Sequence, residues 1–364
     1  MAKASEAYVR AGEREVRISS PERVIYEATD TTAAVTKLMV AEYFASVEDG
    51  LMRALRDRPT ALERWTSGVR PGMKLATGPQ DRNADAFYQK RVPKGAPDYL
   101  ESVEITFPSG RTAEEICPTE IAVPVWCAQM GALTFHPWPV RRTDVDHPDE
   151  LRIDLDPQPG TTFADAVRVA GVARELLGDL GMTGFAKTSG NRGIHVYVRI
   201  EPRWDFGEVR HAAIAFGREL EKRDDGVTTA WWKEERGERI FVDFNQACRD
   251  RTIASAYSPR PLPGAPVSTP VTWDELGSVD PKELTVRTVP ALVTSRGDAW
   301  AGIDDAVGDV AAAIALWDKD VNERGLGELN FPPDYPKMPG EPPRVQPSKK
   351  VASHWDEDGN RVEP

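Results

Sequence analysis

The amino-acid sequence predicts an α+β (mixed α/β) fold in which helices pack on a sheet. Two observations predict it. From residue 151 onwards, short apolar strand patterns alternate with long amphipathic helix patterns, which is typical of a layered domain. Before residue 136, one long helix pattern precedes several short strand candidates, which indicates an N-terminal module.

The elements of the N-terminal module follow from local patterns. Apolar residues at helical spacing predict a helix over residues 32–55, which stops before Pro59. The polar, glycine-containing stretch at residues 67–85 indicates a flexible loop. Three strands are then predicted: SVEITF at residues 102–107, IAVPVWC at 121–127 and GALTFH at 131–136.

The second half begins with a predicted strand, LRIDLDP, at residues 151–157. Thr162 and Asp165 then give a capping-box-like start to a helix that ends near Gly181. The strand IHVYVRI at 194–200, a helix over about residues 208–222 and the strand RIFVDFN at 239–245 complete the alternation. After Leu326 the composition turns to proline and charge, which predicts a poorly ordered tail or a strap along the surface.

Composition excludes several classes of protein. No stretch of the 364 residues approaches the ~18 consecutive apolar residues of a membrane span, so no membrane partner is expected. The first residues contain no apolar segment of the kind found in secretory signals. The three cysteines form neither an even disulfide set nor a CxxC pair, which fits a reducing cytosol and argues against a cysteine-built zinc site.

The net charge of −12 is unevenly distributed along the chain. Residues 274–364 contain 18 acidic and 10 basic residues, which supplies most of the excess. Residues 51–100 contain 10 basic and five acidic residues. Because phosphate binding depends on a local basic surface and not on the total charge, a nucleic-acid partner remains possible.

Two aspartates project from the strand LRIDLDP. Alternation along a strand puts Asp154 and Asp156 on one face with Arg152, opposite three apolar side chains. Two carboxylates so placed repel each other unless a cation compensates them, and Mg²⁺ or Mn²⁺ favours such oxygen ligands. The alternative is structural: the strand ends in a turn at Asp156, and Asp154 pairs with an arginine.

A third aspartate, Asp243, is predicted in the middle of the apolar strand RIFVDFN. Placed beside the first strand, it would complete a cluster of three carboxylates able to bind two metal ions about 3.5–4 Å apart. The alternative is an ordinary salt-bridged strand residue.

Between these strands, TSGNRG forms a predicted glycine-bounded turn. Its small residues allow backbone N–H groups to approach an anion, and Arg192 offers charged donors to phosphate. On the strand that follows, His195 could hydrogen-bond a triphosphate. The structural alternative is a tight hairpin with a buried histidine.

Taken together, LRIDLDP, TSGNRGIHVY and IFVDFNQ resemble, in order and spacing, the three motifs of the archaeo-eukaryotic primase superfamily. More narrowly, residues 20–326 resemble the polymerase domain of bacterial ligase D, an end-joining enzyme, and its stand-alone actinobacterial relatives, the primase-polymerases. The resemblance implies a primase-type catalytic core with an RRM-like sheet, beside an N-terminal α/β module. The implied organisation is an N-terminal module with a basic, aromatic DNA-binding segment (1–135), a catalytic core (136–326) and a proline-rich, acidic tail (327–364).

The resemblance also assigns roles to individual residues. The metal ligands for Mn²⁺ or Mg²⁺ are Asp154, Asp156 and Asp243. The residues near the incoming nucleotide are Ser189, Arg192, His195, Gln246, Arg260 and, beside the sugar, His136. The DNA-binding residues are Phe87, Tyr88, Lys90, Lys94, Arg64 and Arg23. Aromatic side chains interleaved with basic ones are also, on physical grounds, a way to hold unpaired bases.

Some positions depart from the family pattern. Arg23 can replace the first of two lysines that bind a 5′-phosphate across a gap, but Ala33 stands at the second. Glu63 also occupies a usual lysine position. These changes predict weaker 5′-phosphate recognition and leave the acidic centre complete. No ligase or nuclease domain is expected in the tail.

The predicted function is template-dependent addition of NTPs or dNTPs to a primer 3′-hydroxyl, with commonly a preference for ribonucleotides, in DNA gap filling or end joining. The expected partners are primer-template or gapped DNA, a separate ligase and a Ku-type end-binding protein, in the bacterial cytosol at the nucleoid. The alternative from another class is a non-catalytic DNA-end-binding module that supports a partner ligase. A metal-dependent glycosyltransferase also uses a DxD motif, but it would leave Asp243 and the TSGNRG turn without a role.

Overall fold

The computed structural model describes residues 5–76, 84–107 and 110–329. Of the predicted tail, only residues 327–329 lie within this part, and residues 77–83 of the predicted loop lie outside it. No helix in the described part is long and apolar enough to cross a membrane.

The secondary structure confirms a mixed α+β fold. The strands are Glu6–Ala11 (β1), Arg14–Ser19 (β2), Val24–Tyr26 (β3), Val35–Thr36 (β4), Thr60–Arg64 (β5), Phe87–Gln89 (β6), Glu101–Thr106 (β7), Thr112–Cys117 (β8), Ala132–Pro137 (β9), Glu150–Pro157 (β10), Phe185–Thr188 (β11), Ile194–Arg199 (β12), Val227–Thr228 (β13) and Ile240–Val242 (β14). The α-helices are Lys37–Ser46 (α1), Glu48–Leu55 (α2), Ala122–Gln129 (α3), Phe163–Asp179 (α4), Phe206–Arg223 (α5), Lys233–Arg236 (α6), Val289–Arg296 (α7) and Ala311–Arg324 (α8).

The second half is built on a five-stranded sheet in the order β11-β12-β10-β14-β13. The central strand β10 pairs antiparallel with β12 on one side and with β14 on the other. Helices α4 and α5 pack on this sheet, as the sequence predicts. Both begin with a capping box, Thr162 with Asp165 in α4 and Asp205 with Glu208 in α5, which satisfies backbone N–H groups at the helix start.

The N-terminal half contains a second sheet in the order β6-β5-β8-β7, with β9 also paired to β5. The predicted module boundary after residue 135 falls inside β9. The buried apolar side chains of the two halves form one continuous cluster. The two sheets therefore share a core.

Three predicted elements differ from the structure. The helix predicted over residues 32–55 begins at Lys37, because residues 35–36 pair with β3, and it is interrupted at Val47, whose φ of −115° leaves the helical region. The segment IAVPVWC is helix α3 and not a strand. An all-apolar run does not distinguish a buried strand from a buried helix, and Pro124 lies in the first turn, where its missing N–H costs nothing.

The third difference concerns the strand RIFVDFN, which ends at Val242. The carboxylate of Asp243 accepts a hydrogen bond from the backbone N–H of Asn245, at 3.1 Å, and caps the 3₁₀-helix Phe244–Ala247. The chain therefore turns at the acidic residue, because a short side-chain acceptor offers the backbone an alternative to the sheet.

A buried ion network fixes the start of β10 against the N-terminal half. The guanidinium of Arg58 donates to Asp149 at 2.5 Å and to Glu150 at 2.8 Å, and Arg199 also pairs with Glu150. Arg152 donates to Glu150 and so is not the partner of the aspartates further along the strand. Removal of one member would leave an uncompensated buried charge, which typically costs about 3–5 kcal/mol.

Candidate active site

The strand β10 presents two carboxylates at its C-terminal end. Leu151, Ile153 and Leu155 lie in the core, and the opposite face becomes more exposed along the strand. Arg152 is buried, the side chain of Asp154 is 18% exposed, and Asp156 is exposed. The predicted alternation is therefore present, with the aspartates at the open end.

Asp243 lies directly beside this pair. Its backbone N–H donates to the carbonyl oxygen of Asp154 at 3.1 Å, at the end of the pairing between β10 and β14. Its carboxylate accepts from the backbone N–H of Asn245 and, at 2.9 Å, from Nε2 of Gln246. Two strands that are distant in sequence thus bring three aspartates to one edge of the sheet.

The charges of Asp156 and Asp243 both act on Asp154. Burial raises the pKa of Asp154 well above its usual value, and the negative charges of Asp243 and then Asp156 raise it further. Burial also raises the pKa of Asp156 and the pKa of Asp243, although neighbouring donors and arginines oppose both increases. The cluster contains negative charge that the protein itself compensates poorly.

The donor set fits a divalent cation. Within the part of the chain that the structure describes, no basic side chain forms an ion pair with Asp156 or Asp243, and Asp154 has only Nε2 of His195, 3.5 Å from its Oδ1. Among these residues, no group of three or more His, Cys, Asp or Glu side chains is already gathered at metal-binding distances. Carboxylate oxygens that repel one another are nonetheless the ligands that Mg²⁺ and Mn²⁺ favour.

The TSGNRG turn joins β11 to β12, next to the carboxylates. Oγ of Ser189 accepts from the backbone N–H groups of Asn191 and Gly193, at 3.2 and 3.0 Å, and so holds the turn. The turn needs glycine at residue 190, where φ is +74° and a Cβ would lie 2.4 Å from Cγ of Arg260. The exposed Arg192 lies close enough to Asp156 for its charge to oppose the increase in the pKa of that carboxyl group, which burial causes.

His195 faces Asp154 on one side and a buried lysine on the other. Nζ of Lys187 lies 2.8 Å from Nδ1 of His195 and also donates to Oγ of Ser268. Burial lowers the pKa of Lys187 and the pKa of His195 well below their usual values, so His195 is neutral at neutral pH. A nitrogen that accepts from Lys187 cannot also have a proton, so Nε2–H of His195 is the donor that faces the carboxylates.

Gln246 and Arg260, both predicted to lie near the nucleotide, have unused hydrogen-bonding atoms. Oε1 of Gln246 and Nε of Arg260 are buried, and neither has a hydrogen-bond partner among the described residues. The positive charge of Arg260 acts on Asp154, His136 and Glu63. Arg260 therefore lies between the acidic cluster and the N-terminal sheet.

On the N-terminal sheet, His136 is enclosed by two residues of neighbouring strands. Its Nε2 lies 3.0 Å from Oε2 of Glu63, and the ring of Tyr88 packs edge-on at 5.1 Å between centroids. Glu63 is buried and directed towards His136. Its carboxylate therefore contacts the predicted sugar site.

The predicted DNA-binding residues include an exposed aromatic pair. Phe87 and Tyr88 on the edge strand β6 are 40% and 44% exposed, and the guanidinium of Arg64 lies 5.2 Å from the Phe87 ring. Lys94 is exposed, whereas Lys90 is ion-paired with Asp250 at 2.6 Å. An aromatic edge flanked by cations suits stacking of unpaired bases.

Two lysines were missed by the sequence analysis. Lys187 precedes the TSGNRG motif, but a lysine in a strand has no pattern that marks it as buried. Lys37 is also buried, and among the described residues its Nζ contacts only Oγ of Ser19, at 3.5 Å. It lies close enough to the exposed Arg23 for the two charges to interact. This pair places two positive charges close together at the start of α1.

A mixed α+β domain with three acidic side chains at one edge of its central sheet has the architecture of a metal-dependent nucleotidyltransferase. The chain belongs to the family described as LigD, primase-polymerase domain, whose sequence model matches residues 36–300. Enzymes of this family are DNA-directed nucleotidyltransferases that depend on a metal ion.

Several characterised proteins are similar to this chain. The multifunctional non-homologous end joining protein LigD of Pseudomonas aeruginosa is 31% identical over 317 residues, which are 86% of this chain and 36% of the relative. The Mycolicibacterium smegmatis protein of the same name is 28% identical over 333 residues, 91% of this chain and 40% of the relative. The chain thus spans about two fifths of the length of these relatives.

A solved structure is similar to the fold. The polymerase domain from Mycobacterium tuberculosis ligase D, in complex with DNA, matches with a TM-score of 0.70 and 28% identity. The match covers 80% of this chain and 99% of that domain. The family predicted from the three motifs is therefore confirmed, and so is the fold.

Proposed function

We propose that this chain is a template-dependent polymerase that adds NTPs or dNTPs to a primer 3′-hydroxyl, in gap filling or end joining of DNA. The observation that supports it most directly is the convergence of Asp154, Asp156 and Asp243 beside the TSGNRG turn. Family membership gives the reaction class, and the DNA in the similar ligase D structure supports a DNA substrate.

The three carboxylates would hold two Mn²⁺ or Mg²⁺ ions, which lower the pKa of the attacking hydroxyl and neutralise phosphate charge. Side chains of the protein itself would donate hydrogen bonds to the triphosphate. Arg192 at the exposed turn and Arg260 behind it provide guanidinium donors, and Nε2–H of His195 adds a neutral donor between them. His195 is held by Lys187, so its Nε2–H is oriented before the nucleotide arrives.

The remaining residues would position the substrates. Ser189 keeps the turn in shape, and Gln246 holds the carboxylate of Asp243 while its own Oε1 is left for a ligand. His136 would face the sugar of the nucleotide. Phe87 and Tyr88 would stack against template bases, beside a surface of basic residues. The proposed partners are gapped or primer-template DNA, a separate ligase and a Ku-type end-binding protein.

A labelled primer-template assay tests this proposal. The wild-type protein should extend the primer with NTPs or dNTPs when Mg²⁺ or Mn²⁺ is present, and Asp154→Ala should abolish extension with little loss of fold. The matched control is Asp274→Ala, because Asp274 is an exposed aspartate outside the site. Salt-dependent DNA binding without any incorporation would favour a non-catalytic end-binding module instead. Wild-type extension by Asp154→Ala would reject the assignment of the site.

A further inference from the structure

Glu63 lies between two hydrogen-bond partners inside the N-terminal sheet. Its Oε1 accepts from the indole Nε1–H of Trp65 at 2.9 Å, and its Oε2 lies 3.0 Å from Nε2 of His136. All three side chains are buried, with 5% or less of Glu63 and Trp65 and 6% of His136 exposed. The two contacts use both oxygens of the carboxylate and fix its orientation.

The arrangement determines which nitrogen of His136 is protonated. Burial, the largest single influence, raises the pKa of Glu63, but the hydrogen bonds from His136 and Trp65 and the nearby positive charge together outweigh it, so the pKa of the carboxyl group is lowered. Burial lowers the pKa of His136 as well, so the ring is neutral. An ionised carboxylate only accepts hydrogen bonds. The single ring proton must therefore lie on Nε2, which leaves Nδ1 with a lone pair.

Nδ1 of His136 is available to a ligand. Within the described residues it has no hydrogen-bond partner, and it is not among the polar atoms that are sealed from solvent. The exposed Tyr88 lies against the ring on one side, and Arg260 connects this region to the acidic cluster. A nucleotide with its triphosphate at Arg260 would bring its sugar, whose hydroxyls can each donate one hydrogen bond and also accept, towards His136.

We propose that Glu63 is a positioning residue that makes Nδ1 of His136 an acceptor for a ribose hydroxyl of the incoming nucleotide. The inference rests on the proposed function and deepens it, because it explains how the site recognises the sugar. A hydroxyl that donates to Nδ1 gains a hydrogen bond, and a nucleotide that lacks it leaves a desolvated nitrogen unpaired.

Trp65 allows a sharp test, because its indole can only donate a hydrogen bond. In Glu63→Gln, the amide oxygen must remain at Trp65, which turns the amide NH₂ towards Nε2 of His136. Nε2 must then accept, and the ring proton moves to Nδ1. The substitution therefore changes Nδ1 from an acceptor to a donor at nearly constant shape and volume.

The first measurement is kcat/KM for single incorporation of an NTP, the matching dNTP and the matching 3′-deoxy-NTP, by wild-type protein and by Glu63→Gln. In wild-type protein, kcat/KM should be lower for the nucleotide that lacks the recognised hydroxyl than for the NTP. The ratio of these two values should shrink about tenfold in Glu63→Gln, whereas the ratio for the nucleotide that lacks the other hydroxyl should not change. A merely structural role for Glu63 would lower all three values together. Equal ratios in the two proteins would overturn the inference.

The second measurement is the ¹⁵N NMR spectrum of the histidine rings, with His136 assigned by a His136→Asn variant. In wild-type protein Nδ1 should show the shift of an unprotonated nitrogen, and in Glu63→Gln the two ring nitrogens should exchange roles. The same tautomer in both proteins would also overturn the inference. Absence of any incorporation by wild-type protein would instead reject the proposed function, and with it sugar recognition by this histidine.

Trp65 provides the control and a rescue. In Trp65→Phe alone, the carboxylate of Glu63 still accepts from Nε2–H of His136. The ratios of kcat/KM between the NTP and the two nucleotides that lack a hydroxyl should therefore stay at the wild-type value. In the double variant Glu63→Gln with Trp65→Phe, the amide is free to rotate, and its oxygen can again accept from Nε2 of His136. The ratios should then return part of the way towards wild type. A double variant identical to Glu63→Gln would show that Trp65 does not orient the amide, against the inference.

Discussion

Replacement of Asp154 by asparagine separates activity from stability. The amide keeps the shape of the side chain but removes one charge from the acidic cluster. Because burial and the charges of Asp243 and Asp156 raise the pKa of Asp154, the folded protein holds the proton more tightly than the unfolded chain does. Ionisation of Asp154 therefore lowers the free energy of unfolding as pH rises above the pKa that this carboxyl group has in the unfolded chain. Asp154→Asn removes this decrease in stability at neutral pH.

The size of the effect follows from the strand geometry. Asp154 and Asp156 are two residues apart on β10, which corresponds to about 6.6 Å along a strand. At an effective dielectric constant of ~20, two unit charges at that separation repel by about 2.5 kcal/mol. Since Asp156 is exposed and solvent screens it, we expect a stabilisation of about 1 kcal/mol, or an increase in Tm of about 1–1.5 °C for a chain of 364 residues.

Activity should change in the opposite direction. Loss of one carboxylate ligand removes about 3 kcal/mol of transition-state stabilisation, which lowers primer extension at least about 100-fold. The assays are thermal unfolding at neutral pH without divalent cations and extension of a labelled primer. Asp274→Asn, the same change at an exposed position, should alter neither. A variant that extends primers at the wild-type rate, or that unfolds at lower temperature than wild type, would refute this reasoning.

Three further predictions concern the template surface, the gap and a buried acid. Phe87→Ala should weaken primer-template binding about tenfold by loss of base stacking, whereas Tyr8→Ala, at an exposed aromatic residue of β1, should not. Equal binding by Phe87→Ala and wild-type protein in a filter or anisotropy assay would contradict this. A 5′-phosphate on gapped DNA should stimulate extension less than in ligase D, because Ala33 and Glu63 stand where the resemblance predicts lysine. Lys37→Met should remove the remaining stimulation, and a large stimulation that survives this substitution would contradict both expectations. Burial raises the pKa of Glu115 to about 8, so the free energy of unfolding of wild-type protein should fall as pH rises from about 4.5 to about 8. In unfolding measured as a function of pH, Glu115→Gln should lack this decrease, and an unchanged decrease would disprove the assignment.

Periodic patterns allowed most of the second half to be predicted. The alternation in β10 and the amphipathic patterns of α4 and α5 follow from residues that are close in sequence, because burial of one face fixes the register of a strand or helix. The segment at residues 121–127 had no such periodicity. Its uniformly apolar residues fit a buried strand as well as a buried helix, and only packing selects the helix α3.

The sequence indicated the acidic residues of the candidate site and candidate nucleotide contacts, but not the buried Lys187 or the contact between Glu63 and His136. Asp154, Asp156 and Asp243 could be found because charge is unexpected on an apolar strand and because the motifs resemble a known family. Lys187 and Glu63 gave no comparable signal, since burial and a partner across the sheet are properties of the folded chain. The role of Glu63 depends on Trp65 nearby in sequence and on His136, 73 residues away.

The sequence by itself determined the family, the alternation of elements and the types of side chain that can bind a divalent cation. These properties depend on local residue order, and chain neighbours alone establish them. The tertiary structure decided which groups meet: β14 beside β10, Lys187 behind His195, and Glu63 against His136. Protonation states and charge coupling depend on distance and burial, and both arise only when segments far apart in the chain pack against one another.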